Sequence, residues 1–295
     1  MTKPLTHLSH PEDTILTGDL SVLELLYGKG KVSLKIDGAP AIVWGIDPNN
    51  NKFFVATKSA FNKKKIKRCY GIEDIYKYYN QETHGSLIEV LVSCYKHLPV
   101  SDGIYQGDFI GFGGSDSYKP NTITYEFENV VTEDIIVAPH TYYTGDDFPT
   151  MIPHPLEKDF TSTKSCLFVQ PFVDRIHHEI SLPNIDTNKI PFLSDKEATQ
   201  AKMSINALIR SGQTPDESTL NDILGSSQLT NLYLFVEECK YDLMDTFIVY
   251  DSPVAFIDDE RITGEGFVMS NGKMSIKLVD RPKFAFANMT QGRFN

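Results

Sequence analysis

The sequence predicts an α+β protein built on antiparallel sheets, and three observations carry that expectation. Short apolar runs bounded by turn residues recur through the first half of the chain and again near its C-terminal end. A segment from about residue 193 to 246 carries helix-start signals instead. Strands and helices are segregated along the chain rather than strictly alternating, which favours α+β over α/β. With 295 residues, 41% hydrophobic and 23% charged, the composition is that of an ordinary globular chain. It suffices for one large domain or two small ones.

Taken in order, residues 1–7 contain no apolar stretch of the kind a secretory leader needs. Residues 31–59 are strand-like, with runs at 41–46 and 53–57 flanking Asp47-Pro48-Asn49-Asn50-Asn51, a strong turn signal. Residues 72–98 read as helix, with Leu87, Val90, Leu91 and Cys94 at helical spacing. Strands follow at 104–110, 122–127, 134–138 and 166–170. Two capping boxes then mark helix starts, Ser194 with Glu197 and Thr214 with Glu217, the second with Pro215 at the first helical position. This helical block reads as a subdomain inserted into the sheet scaffold. The last part is β again, ending with a strand at 276–279 and a short tail.

The formal charge of -11 argues against a protein that coats nucleic acid with its whole surface. A local grip is still open, because Lys58, Lys63, Lys64, Lys65, Lys67 and Arg68 crowd one short stretch. Such a run is either a solvated surface or a phosphate contact. Cys69, Cys94, Cys166 and Cys239 lie far apart with no Cys-x-x-Cys pair, so reduced buried thiols are expected rather than disulfides or zinc. No apolar run reaches the roughly 18 residues that a membrane span needs. A cytoplasmic protein with no membrane partner is the expectation.

The chemistry concentrates at Lys35-Ile36-Asp37-Gly38, where an apolar strand stops. A lysine there can be desolvated, which lowers its pKa toward the nucleophilic neutral amine. Asp37 can hold a ribose or a metal, and Gly38 lets backbone approach a ligand. Far downstream, Gly264-Glu265-Gly266-Phe267-Val268 precedes Asn271-Gly272, a strong hairpin signal, and the strand carrying Lys277. A two-residue Asn271-Gly272 turn would put Glu265 and Lys277 on opposite faces. A three-residue loop, Ser270-Asn271-Gly272, would set Glu265 directly opposite Lys277. The three-residue loop is the expectation, because only that register gathers acid and amine on one face.

Together these pieces resemble the covalent nucleotidyltransferases, and within them the ATP-dependent polynucleotide ligases. The shared order is Lys35-Ile36-Asp37-Gly38, then the aromatic-Gly-acid strand Tyr105-Gln106-Gly107-Asp108-Phe109, then Glu265-Gly266-Phe267-Val268, then Lys277-Leu278-Val279. Thr57-Lys58-Ser59 resembles the basic segment after the family's first hairpin. The resemblance implies one adenylation domain over residues 1–295, with 193–246 as a helical insert and no room for a C-terminal OB domain. It implies that Lys35 forms a lysyl-AMP and that Lys277 contacts the α-phosphate. Asp37, Gly38, Lys58 and Asp108 would contact the nucleotide, Glu265 and Asp108 would serve Mg2+ or Mn2+, and strand 134–137 would offer a wall for the base. Lys58, Lys63, Lys64, Lys65, Lys67 and Arg68 would meet nucleic acid.

Some positions depart from the family pattern. Pro40 stands where many ligases carry Arg or Asn, Asp108 replaces the commoner Glu, and Val279 takes the place of a second lysine. The chain resembles a minimal catalytic core, similar to ligase-like proteins of tailed bacteriophages, and a monomer is the expectation. Sealing of RNA-containing ends is favoured; a DNA ligase, a guanylyltransferase that caps mRNA, and a non-catalytic nucleotide-binding relative are the alternatives. Other motifs carry less. His177, His178 and Glu179 lack metal-ligand spacing, and His7 and His10 read as surface or core histidines. Phe112-Gly113-Gly114-Ser115 reads as a turn, and Leu229, Leu232, Leu234 and Phe235 as helix core.

Overall fold

The structure is a computed structural model that describes residues 8–28, 30–176 and 186–290. Short helices α1 (Pro11–Thr14) and α2 (Ser21–Tyr27) lead into strand β1 (Lys31–Lys35). Strands β2 (Ala41–Ile46) and β3 (Phe53–Ala56) pair as the expected hairpin. Asp47 closes its turn by accepting the Asn49 amide at 2.8 Å. The helix expected over 72–98 is broken into α3 (Ile72–Tyr78) and α4 (Gln81–His97). The break falls where Asn80 caps α4 by accepting the Glu82 amide at 2.7 Å.

Strands β4 (Ile104–Phe112), β5 (Ser117–Tyr118), β6 (Thr124–Glu126), β7 (Ile135–Thr144), β8 (Ile152–Pro155), β9 (Cys166–Phe168) and β10 (Phe172–Arg175) follow. Three helices come next, α5 (Asp195–Arg210), α6 (Glu217–Leu224) and α7 (Ser227–Met244). Ser194 and Glu197 form the expected capping box. Thr214 and Glu217 do not form theirs. Asp216 caps α6 instead, accepting the Thr219 amide at 2.8 Å, because its carboxylate already sits one residue before the helix.

The final part contains β11 (Phe247–Tyr250), β12 (Val254–Ile257), β13 (Glu260–Ile262), β14 (Gly266–Ser270) and β15 (Ser275–Leu278). A helix, α8 (Arg281–Thr290), stands where a short tail was expected. Its start is set by Asp280, whose Oδ1 accepts the Lys283 amide at 3.1 Å.

The elements divide into two compact units. The first comprises Ile36–Pro171 and Asp251–Ile262 and holds two sheets, ordered β3-β2-β4-β7-β8 with β9 beside β7, and β13-β12-β6-β5. Strand β2 is buried on both faces. Ile42 and Trp44 pack with Ile88, Leu91 and Cys94 of α4, while Val43 packs with Phe54 and Phe148 on the other side.

The second unit comprises the described residues within His7–Lys35, Phe172–Tyr250 and Thr263–Asn295. It contains α5 to α8, the ribbon β10-β11 and the antiparallel sheet β1-β14-β15. Helix α7 turns Leu229, Leu232, Tyr233, Val236 and Leu243 inward, with Leu234 and Phe235 only half-buried. One face of the sheet is apolar and buried: Leu34, Phe267, Met269, Ile276 and Leu278. Its other face carries the charges.

Candidate active site

Alternation along β1, β14 and β15 decides which side chains share that open face. Lys35 pairs with Gly266, Ser33 with Val268, and Val268 with Lys277. Residues directly opposite one another share a face, so Ser33, Lys35 and Lys277 lie on the same side of the sheet. Among the residues of these three strands the charged ones are Lys31, Lys35 and Lys277, all cationic.

Glu265 joins them by a route different from the expected one. The loop between β14 and β15 spans residues 271–274, with Ser270 opposite Ser275 and Lys277 opposite Val268. The three-residue loop that would place Glu265 opposite Lys277 does not form. Its physical reason is Asn271, whose Oδ1 accepts the amides of Lys273 at 3.0 Å and Met274 at 2.9 Å. The Asn271 amide also reaches the Met274 carbonyl at 3.2 Å, which closes a longer turn around Gly272 at φ 80°.

Glu265 instead sits just before β14, between Gly264 at φ 157° and Gly266 at φ 145°. Both angles lie where glycine is favoured, and a Cβ on Gly266 would strike the Leu278 carbonyl. The kinked backbone brings the Glu265 carboxylate into an ion pair with the Lys35 ammonium. Lys35 is therefore one half of an ion pair with a side chain 27% exposed, rather than an amine isolated in apolar surroundings. Lys277 is held below the usual lysine range, first by burial; Glu265 acts against that shift, and Lys35 and Arg281 add to it. Acid and two amines converge.

The same unit holds a sealed cluster that carried no signal in the sequence. Glu12 of α1 meets Lys240 of α7 at 3.0 Å and Arg281 of α8 at 3.2 Å. Arg281 also reaches Asp13 at 3.0 Å, the Tyr233 hydroxyl at 3.1 Å and Asn206 Oδ1 at 2.8 Å. Arg281 is thus committed inside the unit. His10 is a core histidine, kept neutral first by burial and then by the charges of Arg281, Lys277 and Lys240.

The remaining expected residues fall in the first unit. Asp37 accepts a hydrogen bond from Asn121, and its amide donates to the Tyr125 hydroxyl at 2.8 Å. Asn121 and Tyr125 carried no sequence signal. Gly38 is required by a close approach within the protein: a Cβ there would stand 2.5 Å from the Phe109 carbonyl oxygen. Its amide lies 3.5 Å from Asp108 Oδ2, and His140 Nε2 lies 3.6 Å from Asp108 Oδ1. Ile135, Ile136 and Val137 are fully buried, so they offer no open wall to a base.

The basic stretch divides. Lys58, Lys63, Lys64 and Lys65 are exposed. Arg68 instead pairs with buried Asp47 at 3.0 Å and covers the Phe148 ring, and Lys67 covers Tyr79 at 4.1 Å. These two cations hold the unit together rather than face a ligand.

The four cysteines are buried and free, and burial pushes the thiols of Cys69 and Cys166 up to about 12, away from the thiolate form. Gly113 and Gly114 turn the chain by donating to the Asp134 and Val131 carbonyls, as expected. His7, His177, His178 and Glu179 lie outside the described residues. Among the described residues no helix is long and apolar enough to cross a membrane, and no group of three or more His, Cys, Asp or Glu side chains could hold a metal.

Fold and site together define an α+β protein with several antiparallel sheets, one of which carries a cationic face. The chain belongs to the family described as "Family of unknown function (DUF6267)", whose model matches residues 5–224 and 221–293. No curated protein and no solved structure matches it.

Proposed function

We propose that this protein is an ATP-dependent polynucleotide ligase working through a lysyl-AMP, with RNA-containing ends as substrate. The carrying observation is the meeting of Lys35, Glu265 and Lys277 at one face of β1-β14-β15, in the chain order of the ligase motifs. Two lysines gathered with a carboxylate suit a polyphosphate and its counter-cation. A surface ion pair without chemistry would need none of the paired glycines that turn Glu265 toward Lys35.

In the proposed reaction the Lys35 ammonium gives a proton to solvent, and the neutral Nζ bonds to the α-phosphorus of ATP as the bond to pyrophosphate breaks. Lys277 offsets the charge that develops there. Glu265, which pairs with the Lys35 amine, is the carboxylate that would hold a divalent cation. That cation, Mg2+ or Mn2+, would neutralise the phosphate oxygens. AMP next passes to a terminal 5′-phosphate, breaking the N–P bond, and a 3′-hydroxyl then displaces AMP to join the strands. Asp37, Gly38 and Asp108 are the proposed nucleotide contacts in the first unit. The exposed Lys58, Lys63, Lys64 and Lys65 are the proposed nucleic-acid contacts, with a cost in affinity that rises with salt. The buried free cysteines fit a cytoplasmic setting.

Incubation with ATP or GTP labelled at the α-phosphate tests this. An acid-stable adduct with ATP, absent in Lys35→Ala, is expected, followed by ligation of matched RNA ends ahead of DNA ends. A GTP adduct would move the protein to the capping guanylyltransferases. Absence of any adduct in the native chain would leave a nucleotide-binding relative without the reaction.

A further inference from the structure

We propose that Asp108 and His140 form a two-ligand site in the first unit for a divalent cation with nitrogen affinity, Mn2+ or Co2+ ahead of Mg2+. It rests on the proposed function only in taking Asp108 as a cation-facing carboxylate; His140 is the new member. The backbone builds this pair on purpose. Strands β4 and β7 change register between Gln106 and Gly107: Gln106 faces Thr141, while Gly107 faces Pro139. His140 is the extra residue of a β-bulge, a device that re-aims a side chain out of the ladder. Gly107 permits the bulge, since a Cβ there would lie 2.6 Å from the Ala138 carbonyl oxygen. The bulged backbone is pinned by the Leu156 amide, which donates to the His140 carbonyl at 3.0 Å.

The imidazole is oriented as a metal ligand would be. Nδ1 lies 2.7 Å from Thr141 Oγ1, leaving Nε2 directed at Asp108 Oδ1, 3.6 Å away. That gap is too long for a hydrogen bond. It matches two ligands on one ion, which stand roughly 3.0–3.6 Å apart when each is about 2.1 Å from the metal. In the tautomer whose Nδ1–H donates to Thr141, the Nε2 lone pair would face a carboxylate oxygen, an arrangement that a cation between them would relieve. A second partner holding the distal nitrogen is the usual support of a metal-bound histidine. An imidazole ligand selects Mn2+ and Co2+ over Mg2+, which prefers oxygen and keeps its water. Water would fill the remaining positions of the shell.

Titrating the full chain with Mn2+, without nucleotide, and following the free-ion EPR signal tests the site. Binding at one site is expected, weakened roughly tenfold or more in His140→Ala and in Asp108→Asn, with a smaller loss in Thr141→Val. Co2+ should bind more tightly than Mn2+, and His140→Ala should narrow that difference. The His140 side chain is 41% exposed, so its removal leaves the core intact; unchanged thermal unfolding checks this. Equal Mn2+ affinity in wild type and His140→Ala, or no binding in wild type, overturns the proposal. Because Lys35→Ala should bind Mn2+ normally, loss of adduct formation and loss of this site are separately visible.

Discussion

Glu12, Lys240 and Arg281 are sealed in the second unit, with side chains 0%, 0% and 4% exposed, whereas Lys35 and Glu265 of the same unit are 27% and 21% exposed. Both clusters pair carboxylate with cations, yet their surroundings give them opposite consequences. In the sealed one, Arg281 is held by Glu12, Asp13, Tyr233 and Asn206, so α1, α5, α7 and α8 are tied at one point. Such a cluster adds little net stability, but breaking it strands charge out of water. In the open one, a sheet face holds lysines above an apolar core, and water reaches the pair. Its contribution to folding is small, and its charges are accessible to an anion. Burial with several partners ties helices together; exposure leaves charge in contact with water.

The largest expected effect breaks the sealed cluster. Glu12→Gln removes the buried carboxylate that Lys240 and Arg281 share, leaving Asp13 to Arg281 and the more distant Glu237 to Lys240, and should cost about 3–5 kcal/mol in urea unfolding. Lys35→Ala should shift stability by less than about 1 kcal/mol while abolishing the adduct. If the two variants destabilise alike, the contrast between the clusters fails.

A second effect is read in pH. His10 is neutral in the folded state because burial holds it well below its ordinary value of 6.5. Below pH 6.5 the unfolded chain takes up a proton that the folded chain refuses, so stability falls as pH falls, by up to about 1.4 kcal/mol per unit. Urea midpoints of His10→Asn, compared with wild type from pH 7 to 5, should lack this component. Parallel curves would show that His10 is not sealed with Glu12, Arg281 and Lys240.

The smallest effect on stability belongs to Lys277, and it is seen in rate. Burial lowers its pKa, so its charge is lost at a lower pH than the ordinary 10.5. Adduct formation should therefore decline on the alkaline side before that value. Lys277→Arg, whose guanidinium stays charged, should move the decline upward. An unchanged profile would separate Lys277 from the phosphate.

Local signals carried much of the fold. The Asp47 turn, the Ser194–Glu197 capping box and the hairpin at Asn271-Gly272 were legible because each satisfies backbone groups within a few residues. The same locality explains the misses. Thr214 lost the cap to Asp216, and α8 was hidden although Asp280 stands ready to cap it. Of the candidate site, Lys35, Glu265 and Lys277 were identifiable as residues, but their convergence was expected through strand register. It comes from Gly264 and Gly266. Arg68 and Lys67 read as ligand-facing cations because nothing in the sequence shows that Asp47, Phe148 and Tyr79 claim them.

By itself the sequence determined the kinds of element, the place of the hairpins, the supply of apolar residues and the order in which lysine, carboxylate and lysine occur. Only tertiary structure decided that Glu265 meets Lys35 across 230 residues and that Lys240 meets Glu12 across 228. Caps, turns and periodicity are set by neighbours along the chain, and so can be read from it. Charge pairing and burial depend on which distant segments the core brings together, and no local pattern records that choice.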